Sequence, residues 1–190
     1  MSSLEYERLH HNLRLLELIT FDSILDNYLE IAAKDGKSTI EILDYLVAQE
    51  VGSKEARACA LRMRLAGFPV EKRLEDFDFK FQSSLDKASI KDLASMRFIH
   101  NCENIVFLGP PGLGKTHLAI ALGIEAINAG FRVNFANVSI LVERLSKAEK
   151  ERKLEDKIRG LSKYQVLIID EIGYLPFDEL GAHCFFQLIS

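Results

Sequence analysis

The sequence predicts an α/β domain built on a parallel sheet, preceded by a small all-helical module over residues 1–73. Three observations carry that expectation. Helical periodicity without strand signals runs through the N-terminal part, short β-rich runs alternate with helical ones from Ile105 onward, and a glycine-rich segment sits between the first such run and the next helix.

The leucine-rich stretch Leu4–Leu18 reads as the first helix. Phe21, Ile24, Leu25, Tyr28 and Leu29 then fall at i, i+3, i+4, i+7 and i+8, an amphipathic helix with Thr20 as its N-cap. Gly36 breaks the chain, Ser38 and Glu41 form a capping box, and Leu43, Leu46 and Val47 supply the next apolar stripe. Ser53 is expected to cap a third helix, Lys54–Ala66, which Gly67 ends with Pro69 just beyond. From Gly67 to Ser84 no period is sustained, so this stretch reads as a linker anchored to the following domain by Phe77 and Phe79. Residues 74–103 form linker and lead-in helix, and 104–190 the α/β domain. Within it Ile105–Leu108 is expected as a buried strand and Thr116–Ala129 as a helix stopped by Gly130. Val133–Ala136 follows as a strand, Ile140–Leu161 as one or two charged helices, and Val166–Ile169 as a third strand.

Composition narrows the class. The chain has 190 residues, 48% of them hydrophobic and 27% charged, which fits an ordinary globular protein and excludes disordered, collagenous and disulfide-scaffolded chains. Cys59, Cys102 and Cys184 are odd in number and lack metal-ligand spacing, so they read as reduced, packed thiols. No apolar run approaches the ~18 residues needed to cross a bilayer, and MSSLEYERLHH lacks a secretory core; both point to a cytoplasmic protein without a membrane partner. The formal net charge is −4, but it is unevenly spread. Residues 1–53 carry 4 basic and 10 acidic side chains, whereas 54–73 carry 6 basic (Lys54, Arg57, Arg62, Arg64, Lys72, Arg73) and 2 acidic. That basic stretch suits a phosphate-facing surface and equally a solvated helix face. In 144–163, with 8 basic and 4 acidic residues, mixed signs at helical spacing favour a solvated, ion-paired face over a DNA-tracking one. His10 and His11 are adjacent and point about 100° apart on a helix, so no metal site is assigned to them.

The chemistry is concentrated in two places. Gly109, Pro110, Pro111, Gly112, Leu113, Gly114, Lys115 and Thr116 match the P-loop pattern between a strand and a helix. Such glycines let the backbone wrap so that N–H groups point at phosphate oxygens, and the following helix adds its positive end. Lys115 is expected at the β and γ phosphates of ATP, and Thr116 offers a hydroxyl to Mg2+. Downstream, Val166–Ile169 delivers Asp170 and Glu171 to a strand end, a Walker B-like arrangement. Asp170 would hold Mg2+ through its water shell, and Glu171 would polarise the attacking water, which favours hydrolysis over transfer to an acceptor.

The wording around these motifs, LEDFDF at 74–79, NIVFLGPPGLGKTHLAIAL at 104–122, LIIDEIGYLPF at 167–177 and FFQLIS at 185–190, resembles the IstB family of transposition helper ATPases. These are relatives of DnaC-type helicase loaders in the AAA+ superfamily. The resemblance implies a three-layer P-loop NTPase sheet, ATP and Mg2+ as ligands, and a homo-oligomer on double-stranded DNA that assists a transposase. It leaves open a helicase-loader role with a replicative helicase as partner, and an inactive remnant that retains only DNA or partner binding. Family members continue beyond the helix that ends here, through a strand with a sensor Asn, an arginine that completes a neighbour's site, and a small helical region. The resemblance thus implies an incomplete sheet, in which a later strand would separate Ile105–Leu108 from Val166–Ile169 and the first of these lacks lateral partners.

Overall fold

The computed structural model describes residues 3–79, 85–173 and 178–190, and divides the chain into two compact units, 1–60 and 61–190. In the first unit lie α1 (Ser3–Leu15), α2 (Ile19–Lys34) and most of α3 (Thr39–Ala66). Leu13, Phe21, Leu25, Tyr28, Ala32 and Leu46 form its core. The stripe expected over Phe21–Leu29 thus faces inward.

Two expectations for these helices are corrected. Thr20 is inside α2, whose N-cap is Leu18 with no side-chain cap bond. The cap comes instead from Glu50, a 3% exposed carboxylate on α3 that accepts the Phe21 amide at 2.9 Å and is held from behind by Arg57 at 3.2 Å. Burial pushes the Glu50 carboxyl up, but the Phe21 and Thr20 amides and Arg57 outweigh it and keep the group below its ordinary value. Ser53 caps nothing, because α3 runs unbroken through Gly52 and Ser53, and the Ser53 hydroxyl accepts from Arg57 at 2.8 Å. A mid-helix glycine costs only about 1 kcal/mol, which flanking tertiary contacts offset. The Ser38–Glu41 capping box does form: Glu41 accepts the Ser38 amide at 2.8 Å, and the Ser38 hydroxyl accepts the Glu41 amide at 3.4 Å.

In the second unit a 3-10 turn, Leu74–Asp76, is followed by α4 (Lys87–Leu93), α5 (Arg97–His100), α6 (Lys115–Asn128), β1 (Val133–Asn137), α7 (Val138–Lys150), α8 (Leu154–Leu161), β2 (Val166–Asp170) and α9 (Glu179–Ile189). β1 and β2 pair in parallel, with Val133 opposite Val166 and Asn137 opposite Asp170. Side-chain alternation assigns the layers. Ile168 meets α6 at Gly123, while Phe135, its partner in register, packs edge-on to Phe68. On the other face Ala136 and Ile169 lie against Leu141, Leu145, Leu154 and Cys184. α6 is apolar nearly all round and buried accordingly, from Leu118 through Ile127.

The expected strand Ile105–Leu108 is the chief correction. It is neither paired nor buried: the sheet of described residues has two strands, and Val106 and Leu108 are 73% and 89% exposed. A strand exists only by pairing, and among the described residues none lies beside this segment. The thiols also diverge. Cys184 is buried, with burial raising its pKa first and Glu149 and Asp178 adding to it, Cys59 is half-buried, and Cys102 is exposed rather than packed. The expected Gly-Tyr-Leu-Pro-Phe stretch lies outside the described residues from 174 to 177.

Candidate functional site

The glycine-rich segment turns because three of its residues have no Cβ. Gly109, Gly112 and Gly114 adopt φ of +149°, +81° and +81°, the last as the left-handed N-cap of α6. The Lys115 ammonium donates to the carbonyls of Gly109 at 2.8 Å and Pro110 at 2.7 Å, so it lies over the loop it belongs to. The Thr116 hydroxyl points across to β2 and donates to both carboxylate oxygens of Asp170, at 3.0 and 3.1 Å. Both residues are half-buried. Two residues 54 positions apart in the chain therefore meet at this hydrogen bond.

Glu171 is placed differently from Asp170. It is exposed, its φ is +66°, and its carboxylate accepts from the Asn137 amide at the end of β1 rather than from the glycine-rich loop. Parallel register explains the meeting, since Asn137 stands opposite Asp170. The same Asn137 side chain caps α7 by accepting the Ser139 amide at 3.0 Å. Sequence reasoning missed Asn137. Its place just before a helix signals a cap, but nothing local signals a carboxylate 34 residues away.

Two further residues beside the loop were not assigned to it. The His117 Nε2–H donates to the Arg73 carbonyl at 2.8 Å, and Phe77 sits edge-on to that imidazole at 5.2 Å. His10, given no site, is half-buried between Asp22 and Asp26. Arg14, with His10 second, holds the Asp22 carboxyl below the usual range. Among the described residues no group of three or more His, Cys, Asp or Glu side chains forms a metal cluster, and no helix is long and apolar enough to cross a membrane.

Comparison with known proteins bears on this arrangement. The family described as "IstB-like ATP binding protein" matches residues 10–190. The ATP-binding protein of insertion sequence IS21 from Pseudomonas aeruginosa is 43% identical over 166 residues, 87% of this chain and 63% of that protein. Its counterpart in IS5376 from Geobacillus stearothermophilus is 41% identical over 184 residues, 97% of this chain and 73% of the relative. That of IS232 from Bacillus thuringiensis is 39% identical over 185 residues, 97% and 74% respectively. The chain thus spans from 63% to 74% of the length of these relatives. With the match running through the glycine-rich loop, both strands and the acidic pair, the chain belongs to the IstB-like ATP-binding protein family.

Proposed function

We propose that this chain binds ATP through residues 109–116, with Mg2+ held by Thr116 and Asp170, and hydrolyses it as the helper of a transposase. The observation that carries the reading is the Thr116–Asp170 hydrogen bond of 3.0 Å, which brings an oxygen-only donor pair to the start of α6. Hydroxyl and carboxylate oxygens suit a hard cation of the Mg2+ type. When bound, that ion neutralises charge on the phosphate chain. The protein's own groups do the rest. Pro110 and Pro111 carry no amide proton, so the phosphate-facing donors come from the main chain of 112–116 together with the Lys115 ammonium. Glu171 takes a proton from the attacking water, and Asn137 fixes the direction in which its carboxylate points. The left-handed backbone at Glu171, a strain of about 1–3 kcal/mol, supports a role in which that direction matters.

Glu171→Gln is therefore expected to bind ATP as the parent does while turnover falls by roughly 10²- to 10⁴-fold, measured as phosphate release. Unchanged turnover would remove the residue from the reaction. The insertion-sequence relatives and the basic balance of 54–73 support action on double-stranded DNA, as a homo-oligomer partnered by a transposase. Arg64→Ala should then weaken duplex binding and reduce the slope of log affinity against log salt by about 1, read by fluorescence anisotropy. A salt-independent signal would sink the DNA assignment. A second reading, binding without turnover, is favoured by segment 105–108, which leads into the loop and has no β partner among the described residues. Retention of ATP with no phosphate released, with or without duplex DNA, would select it.

A further inference from the structure

Phe77 lies 32 residues before the first loop glycine and belongs to neither nucleotide motif, yet its ring occupies the place that a side chain at 114 would need. A Cβ on Gly114 would stand 3.3 Å from Phe77 Cζ, a tight contact, and 2.6 Å from Cε2, closer than packed carbons tolerate. The ring is 8% exposed and shares one apolar cluster with Ile90 and Leu118, with Phe107 packed against it. Phe107 precedes Gly109 by two positions and Leu118 follows Gly114 by four, so both ends of the loop rest on the same cluster. The segment 105–108 that leads into the loop has no β partner among the described residues, so the apolar cluster is the packing that its N-terminal end has there. The segment bearing Phe77 is itself tied down: the 3-10 turn closes with the Phe77 amide on the Leu74 carbonyl at 3.3 Å, and the Arg73 carbonyl accepts His117 Nε2–H from α6 at 2.8 Å.

We infer that Phe77 is a positioning residue for the phosphate loop, setting where the Gly114 turn and the amides after it lie. The inference rests on the proposed ATP site. A loop with three left-handed glycines is free to turn at each of them, Gly114 among them, and a binding site of aligned amides loses affinity steeply when displaced. The ring supplies that stiffness from outside.

The test titrates a fluorescent ATP analogue with Mg2+ into the parent, Lys115→Ala, Phe77→Ala and Phe77→Leu, recording both dissociation constant and bound fraction at saturation. A purely structural role would lower the bound fraction and leave the constant alone; positioning raises the constant, by roughly tenfold to a hundredfold for Ala, at unchanged saturation. Phe77→Leu keeps apolar volume, so it folds if Ala does not, and should still raise the constant several-fold. Parental affinity in a folded Leu variant overturns the inference, and so does equal loss of melting temperature on adding Gly114→Ala to the parent and to Phe77→Leu, because only the parent has the ring to collide with. Failure of the parent itself to bind, or parental affinity in Lys115→Ala, would strike the ATP site rather than Phe77.

Discussion

Lys115→Ala is expected to weaken binding of an ATP analogue with Mg2+ by about tenfold to a hundredfold, while the thermal unfolding midpoint hardly moves. The magnitude follows from the chemistry. A hydrogen bond to a charged group contributes roughly 1.5–3 kcal/mol, which is about ten- to a hundredfold or slightly more in a dissociation constant. The ammonium at 115 is the one cationic side chain within the segment 109–116, so its loss leaves the phosphate charge to main-chain amides alone. Stability should be insensitive because Lys115 is only half-buried and its bonds go to the Gly109 and Pro110 carbonyls of its own loop. Lys115→Arg is not expected to rescue fully, since a planar guanidinium replaces a compact ammonium in a tight turn. Titration by fluorescence, with circular dichroism to confirm folding, reads both quantities; affinity equal to the parent in the Ala variant would detach this lysine from the phosphates.

Glu50→Ala should destabilise the N-terminal unit by about 2–4 kcal/mol, the largest stability effect expected of any charged residue in that unit. The carboxylate is the cap of a helix that has none of its own, so its removal strands the Thr20 and Phe21 amides in a buried place and leaves Arg57 without its carboxylate. Glu50→Gln should cost less, because the amide oxygen still accepts from Phe21. A pH dependence accompanies this. The folded carboxyl titrates below its ordinary value of 4.5, so its contribution is fully present above that pH and is lost as pH falls below it. Glu50→Gln should flatten that acid limb in denaturant unfolding followed from pH 7 to pH 3. A limb as steep as the parent's would mean that other carboxylates, Asp22 and Glu41 among those held low, carry the dependence.

Much of the site was legible because its signals are short-range. Gly109 to Thr116 announces its turn by residue type alone, and the acids at 170 and 171 follow four aliphatic residues that can only be buried by pairing. Legibility failed where a residue's role depends on a partner far along the chain. Ser53 looks like a cap and is a mid-helix acceptor, whereas Glu50 looks like a helix-surface acid and is a cap. Ile105–Leu108 has the composition of a strand, and composition cannot supply the neighbour it would pair with.

The sequence by itself determined the elements whose cause lies within a few residues: the Ser38–Glu41 box, the helix after Gly114, β1 and β2, and the loop that joins chemistry to that helix. Only the tertiary structure decided that Asp170 takes the Thr116 hydroxyl, that Glu171 turns to Asn137, and that Phe77 fills the space over Gly114. Dihedral preference and side-chain period act over one or two turns of chain, whereas these contacts join positions from 34 to 54 residues apart and arise when buried surface brings the segments together.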